Sequence, residues 1–341
     1  MAKKTGVLLI NLGTPDSPSV KDVRRYLTEF LNDPRVIDIN AFGRFLLVNG
    51  VIIPFRAPKS AKIYKELWEM WDGESPLLTY GKMWQRTLQE KFKGEDVTVE
   101  LAMRYQNPSL DDVLKRMEKV GYDEIVILPL FPHYASASSG SAIEKTYRII
   151  RKWWATPDLK VISNFFDREG YINAFVEKAK QYDIRSYDHV IFSYHGLPER
   201  QIDKIHPELK CADCDCDKQF KSDQRLCYRN ECYETSRLIA AKLDISEVDY
   251  TVAFQSRLGK TPWLTPYSDQ VIEEMGQKGM KKLLVFSPAF IADCLETSIE
   301  IGVEYQEIFE ENGGEKVQLV ESLNDSPTWI NTVEEMVREV M

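Results

Sequence analysis

Short apolar runs alternate along this chain with stretches in which apolar side chains recur every three or four positions. The runs predict buried strands over Gly6–Leu12, Thr98–Met103, Glu124–Leu130, Lys160–Ile162, His189–Tyr194, Tyr250–Gln255 and Lys282–Ser287. The intervening periodicity predicts helices over Leu110–Val120, Gly170–Tyr182, Tyr233–Lys242 and Tyr267–Gln277, with a short amphipathic closing helix over Thr328–Met341. Strand and helix in regular succession point to the α/β class, with parallel sheets covered by helices.

The pattern also repeats. Val7–Pro15, an apolar run ending in Gly13-Thr14-Pro15, reads like Val190–Pro198, which ends in Gly196-Leu197-Pro198. Gly121–Pro129 likewise reads like Gly279–Pro288: a glycine, a charged approach, a strand, and a proline at the strand's carboxyl end. Two pairs in the same order predict two similar Rossmann-like domains, 1–165 and 166–341, with a cleft between them. Each half carries an insertion. The one near 42–76 holds the apolar run Phe45–Pro54 followed by Trp68, Met70 and Trp71; the one at 201–232 is cysteine-rich.

Composition narrows the function. The 341 residues are 43% hydrophobic and 28% charged, as in ordinary globular proteins, and carry a formal charge of −9. With no basic excess to neutralise phosphates, nucleic acid is not an expected partner. No run approaches the ~20 apolar residues of a membrane span. The apolar N-terminal run is too short for a signal-peptide core, so a cytoplasmic location is expected. Five of the six cysteines fall at Cys211-x2-Cys214-x-Cys216-x10-Cys227-x4-Cys232, while Cys294 stands apart. In a reducing compartment such clustering points to tetrahedral zinc or an iron–sulfur cluster on four of the five, over disulfides.

Open α/β sheets bind ligands beyond the carboxyl ends of their strands. His195, one of only four histidines, sits at such an end. There it is either a strand-end hydrogen-bonding group or a proton acceptor and metal ligand. Asp293, Glu296 and Glu300 are spaced i, i+3, i+7, so a helix would place three carboxylates on one face, as a cation or proton path or as a solvated acidic turn. Pro132–Gly140 follows a strand as a Ser-rich loop without the spacing of a phosphate cradle. There is no Walker, GxGxxG or GxSxG motif.

Together these segments resemble the ferrochelatase family. Gly6–Asp16 is similar to its opening strand and Asp22–Leu31 to its first helix; Gly73–Leu77 and Met103–Pro108 resemble two of its loops. Phe192-Ser-Tyr-His-Gly-Leu-Pro198 is similar to its histidine signature. Phe254–Gly259 with Pro262-Trp263-Leu264, then Phe290–Glu296, resemble its second-half signatures, and Glu321-Ser-Leu-Asn324 its closing motif. The resemblance runs through nearly the whole chain, in family order.

It implies insertion of Fe2+ into a porphyrin with release of two protons, the last step of haem synthesis. His195 and Glu296 would be the catalytic and metal-handling pair. Arg56, Tyr64, Ser75, Arg104, Tyr105, Trp263 and Asp293 would line the porphyrin site, with Arg56 and Ser75 meeting its propionates. Protoporphyrin IX is the expected substrate, with coproporphyrin III as the alternative. The Phe45–Pro54 stretch would form a hydrophobic lip giving peripheral contact with the inner membrane; read from periodicity alone, it is a core helix or turn. Some bacterial members carry a [2Fe-2S] cluster on internal cysteines with a Cys-Tyr-Arg-x-x-Cys ending like Cys227–Cys232, which makes Cys211, Cys227 and Cys232 the firmer ligands here. The rival readings are a cobalt or nickel chelatase of related fold, and a non-catalytic haem- or metal-binding protein.

Overall fold

The computed structural model describes residues 3–257, 259 and 261–341. Leu258, within the Phe254–Gly259 signature, lies outside the described residues. The chain divides into two compact units: one comprises the chain up to Phe131, Ser136–Ser163 and Ile330–Met341, the other Pro132–Ala135 and Asn164–Trp329. The sequence pattern places residues 166–341 in the second half; residues Ile330–Met341 group instead with the first unit.

The first unit holds β1 (Thr5–Gly13), α1 (Val20–Leu31), α2 (Ala41–Leu46), α3 (Ile53–Met70), α4 (Pro76–Lys91), β2 (Val97–Tyr105), α5 (Leu110–Val120), β3 (Glu124–Pro129), α6 (Ser141–Ile150) and β4 (Asp158–Val161). Its sheet is parallel, in the order β2-β1-β3-β4. β1 is hydrogen-bonded on both sides and covered on both faces, so its Val-Leu-Leu-Ile run is wholly buried. α5 shows how sequence sets an element. Ser109 caps its start by accepting from the Asp112 backbone N–H (3.1 Å). Leu110, Val113, Leu114 and Met117 form the stripe that packs on Ile125 and Ile127. Gly121, at φ +66°, ends it.

The second unit holds α7 (Glu169–Ala179), β5 (His189–His195), α8 (Glu199–Asp203), α9 (Tyr228–Lys242), β6 (Tyr250–Gln255), α10 (Ser268–Gln277), β7 (Lys282–Phe286), α11 (Tyr305–Glu311) and β8 (Lys316–Leu319). Its sheet is again parallel, in the order β6-β5-β7-β8. Strand for strand this is the first sheet's order, with β5 in the place of β1 and β7 in that of β3. A helix α12 (Pro327–Val340) closes the chain.

Two helices depart from plain α geometry at matching places. Ser136–Gly140 follows β3 and Glu296–Glu304 follows β7, each as a π-helical segment. Such segments recur at functional sites. A third, Leu47–Ile52, joins α2 to α3. Among the described residues, no helix is long and apolar enough to cross a membrane.

Candidate active site

β5 ends on His195, which pairs in register with Gln255, the last residue of β6. Gly196 follows, and its N–H donates to the Gln255 carbonyl (2.8 Å). A Cβ on Gly196 would come within 2.8 Å of that carbonyl and 3.3 Å of the Trp263 ring, so only glycine lets the turn close here. Trp263 is tied to the same turn by a bridge to Pro198.

The half-buried His195 has a defined tautomer. Its Nδ1 lies 2.7 Å from the Gly196 carbonyl, which can only accept. Nδ1 therefore carries the proton, and the Nε2 lone pair is left for chemistry.

Gln255, 1% exposed, links this strand end to the acidic helix. It accepts from the Ser193 hydroxyl (2.7 Å), and its Nε2 donates to the Glu296 carbonyl (3.4 Å) and the Glu300 carboxylate (3.0 Å). Glu300 also accepts from the Ser256 N–H (3.0 Å), the Ser256 hydroxyl (2.5 Å) and the Tyr305 hydroxyl (3.2 Å). Ser256 sits at φ +64°, a left-handed conformation that this clamp holds in place.

The expected single carboxylate face is corrected by the backbone. Asp293 precedes the helical segment, and its carboxylate is buried and taken up by the Asn324 amide (2.6 Å) and the Thr297 hydroxyl (2.9 Å). Glu300 is consumed by the clamp. Glu296 begins the π-helical stretch, half-buried beside the Cys294 thiol, which burial and then this carboxylate push well up. The Asn324 contact also accounts for the closing motif, which holds the Asp293 loop.

The predicted pocket residues of the first unit behave differently. The Arg104 guanidinium donates to Asp33 (2.5 Å) and to the Ser141 hydroxyl (2.7 Å). Tyr105 is fully buried and donates to Asp33 (2.9 Å). Burial opposes ionisation of Asp33. The Ser141 hydroxyl, the Arg35 backbone N–H, Arg104 and Tyr105 outweigh it and hold the carboxyl below its usual range. Ser75 is buried at the start of α4, Tyr64 packs edge-on against Tyr26 and Trp68, and Arg56 is exposed on α3.

Four cysteines, Cys211, Cys214, Cys216 and Cys227, line one small cavity with His206, Gln224 and Arg229. Cys232, one of the firmer ligand candidates from sequence, is absent from this lining; it is fully buried one turn into α9, beside Tyr228. Burial pushes Cys211 up to about 12 and Cys227 up to about 11. Arg229 reaches the Cys216 sulfur at 3.2 Å, and among the described residues the buried His206 Nε2 has no hydrogen-bond partner. Among the described residues, no three His, Cys, Asp or Glu side chains stand ready to hold a metal ion.

The pocket connects to the histidine. Tyr228, the residue after Cys227, donates to the His195 carbonyl (2.8 Å). Glu231, wholly buried and pushed up to about 8 by that burial, accepts from the backbone N–H groups of Tyr134 (2.6 Å) and Leu226 (3.1 Å) and from the Asn164 amide (2.6 Å). His133, which burial pushes down to about 3, is a neutral ring bonded to Thr235 (2.9 Å). Sequence reasoning passed over Gln255, Tyr228, Glu231, His206 and Asp33. Register at the strand ends could have flagged Gln255; the others are visible only in three dimensions.

Comparison with known proteins gives the family. The family model described as ferrochelatase matches residues 4–341. A ferrochelatase of Legionella pneumophila (strain Lens) is 43% identical over 336 residues, covering 98% of this chain and 99% of the relative. One of Coxiella burnetii (strain Dugway 5J108-111) is 42% identical over 339 residues, covering 98% and 94%. Among solved structures, SirB from Bacillus subtilis with Fe3+ aligns with a TM-score of 0.55 at 12% identity, over 99% of this chain and 95% of that one, which speaks to the fold alone. The chain belongs to the ferrochelatase family, and it is a metal chelatase of haem biosynthesis.

Proposed function

We propose that this chain inserts Fe2+ into protoporphyrin IX, with His195 as proton acceptor and Glu296 as the group that presents the iron. The reaction replaces two pyrrole N–H protons by one dication, so both protons must be carried away. The observation that carries the reading is the His195 tautomer: Nδ1–H is committed to the Gly196 carbonyl, leaving Nε2 to take a proton. Gln255 supports the pairing, because it is the register partner of His195 and bonds the first residue of the Glu296 helix. Asp293 and Glu300, both held by neighbours, set the shape of that helix and do not carry protons. Arg56 is the residue best suited to a propionate, since Arg104 and Tyr105 are tied up around Asp33. The test is zinc insertion into porphyrin followed by fluorescence. His195→Ala should abolish turnover and leave porphyrin binding; retained turnover removes His195 from the mechanism. A higher kcat/KM for coproporphyrin III than for protoporphyrin IX overturns the substrate assignment.

The cysteine cavity supports a bound metal centre, which we assign as a [2Fe-2S] cluster on Cys211, Cys214, Cys216 and Cys227. The donor chemistry fits. Four cysteines line one cavity, a guanidinium lies within reach of a sulfur, and among the described residues a buried imidazole nitrogen there lacks a hydrogen-bond partner. When bound, such a cluster supplies one-electron chemistry and a four-point cross-link. The protein as purified should be brown and bleach with dithionite. Cys211→Ser and Cys227→Ser should lose the colour and Cys232→Ser should keep it; colourless protein with stoichiometric zinc overturns the assignment.

The helices around the π-helical join support a proposal of peripheral membrane contact. Val48, Ile53 and Ala57 pack inward, whereas Phe42, Phe45, Leu46, Val51 and Phe55 are exposed. That apolar face supports contact with a bilayer, the medium from which an apolar porphyrin would come.

A further inference from the structure

The active-site histidine is anchored from behind by the helix that leaves the cysteine cavity. Cys227 lines that cavity and caps α9. The next residue, Tyr228, is buried, and its hydroxyl donates to the His195 carbonyl at 2.8 Å. Two turns on, the Ser236 hydroxyl lies 2.8 Å from the hydroxyl of Tyr194, the residue before His195. Between these grips sits the His133 ring, edge-on to Tyr194 (5.2 Å) and Tyr228 (6.0 Å) and bonded to Thr235 of the same helix. Helix, rings and strand end are thus packed as one piece, with few internal degrees of freedom.

We propose that Tyr228 is a positioning residue: its hydroxyl fixes the peptide that joins His195 to Gly196, and through it the state of the cysteine cavity sets the orientation of His195. The carbonyl of Gly196, one peptide further along, is the acceptor that holds His195 Nδ1–H. Releasing the His195 carbonyl frees the peptide between them, and with it the hydrogen bond that directs Nε2. Cys227 stands at the N-cap position of α9 without a side-chain capping bond and directly precedes Tyr228, so a metal centre holding its sulfur would fix the start of the turn that carries Tyr228. The first half of the proposal stands on the Tyr228 contact alone. The second half rests on the cavity holding a metal centre.

The experiment is a cycle of Tyr228→Phe, Cys227→Ser and the double variant in the full chain. Phe keeps the ring that packs on His133 and removes only the hydroxyl. The readouts are kcat and porphyrin KM, iron and sulfide content, and the 15N resonances of the His195 ring. In Tyr228→Phe, kcat should fall about tenfold, the scale of one lost hydrogen bond. KM and metal content should stay at wild-type values, and the His195 nitrogens should show a mixture of tautomers. Cys227→Ser, or wild type stripped by a chelator, should show the same kcat loss and the same ring spectrum. The double variant should be no worse than either single one. Wild-type kcat and an unchanged ring spectrum in Tyr228→Phe overturn the proposal. Additive losses in the cycle overturn the link to the cavity. Wild-type protein without metal sinks the cavity reading only, and Tyr228→Phe still decides the positioning role.

Discussion

Leu12 and His195 occupy the same place in two copies of one design. Each lies at the carboxyl end of an inner strand of a four-stranded parallel sheet of the same order, and each precedes a glycine pressed against the neighbouring strand. Gly13 meets the Tyr105 carbonyl and Gly196 the Gln255 carbonyl. In each half a carboxylate locks the end of the strand beside the central one: Asp33 holds Arg104 and Tyr105, and Glu300 holds Gln255 and Ser256. What differs is how the polar groups are used. The first half satisfies them internally and presents leucine. The second puts an imidazole there with one nitrogen committed and one spare. The same topology thus supplies the frame twice, and the two strand ends differ in the side chain they carry, leucine in one and imidazole in the other.

The largest test of that contrast is His195→Ala, expected to cut kcat by about a thousandfold, the range of lost general-base catalysis, without changing the unfolding midpoint. Asp33→Ala should do the reverse. Removing one member of a buried charged network costs about 3–5 kcal/mol by denaturant titration. The Asp33 carboxyl is held below its unfolded value, so its contribution is complete above about pH 4 and fades as pH falls through the lower folded value. Asp33→Ala should therefore show a shallower acid loss of stability than wild type. The glycines sharpen the comparison. Gly13 sits at φ +116° and a Cβ there would be 1.9 Å from a backbone oxygen, so Gly13→Ala should cost about 3 kcal/mol. Gly196→Ala, at 2.8 Å with ordinary backbone angles, should cost about 1–2 kcal/mol and reduce kcat more than Gly13→Ala does in protein that remains folded. The smallest effect is expected at the lip. Phe42→Asp with Phe55→Asp should weaken co-sedimentation with vesicles by about 1–3 kcal/mol and leave kcat on a detergent-solubilised porphyrin unchanged.

The frame was legible because buried parallel strands are continuous apolar runs, such as Val7–Ile10 and Leu283–Phe286. The fourth strand of the second sheet was missed. Lys316-Val-Gln-Leu319 is a short, half-exposed edge strand that lacks such a run. Helix α9 was read from Tyr233, although it begins at Tyr228. Its first turn carries Asn230 and Glu231, polar residues that are nonetheless buried, which erase the amphipathic signal. Motif and strand-end logic single out His195 and Glu296, and the structure puts the first at the end of β5 and the second at the start of the π-helical segment. The i, i+3, i+7 argument failed because Asp293 lies before the helical segment and is held by Asn324 and Thr297, while Glu300 is engaged by Gln255, Ser256 and Tyr305. Arg104 and Tyr105 illustrate a different limit. A sequence shows that a residue is chemically able to bind substrate, but not that Asp33, some seventy positions earlier in the chain, has already engaged it.

The chain's division has a bearing on how it is made. The first unit's last dozen residues, from Ile330 onward, are separated from its main body by nearly the whole of the second. Val333, Met336 and Val337 are buried there, and Arg338 pairs with Glu95. On the ribosome the N-terminal unit must wait, its groove for that helix unfilled, while the inserted unit is synthesised and has every residue it needs to fold first. Order of birth and order of completion are therefore opposite, and a nascent chain halted near residue 329 should expose an apolar surface on the older half alone.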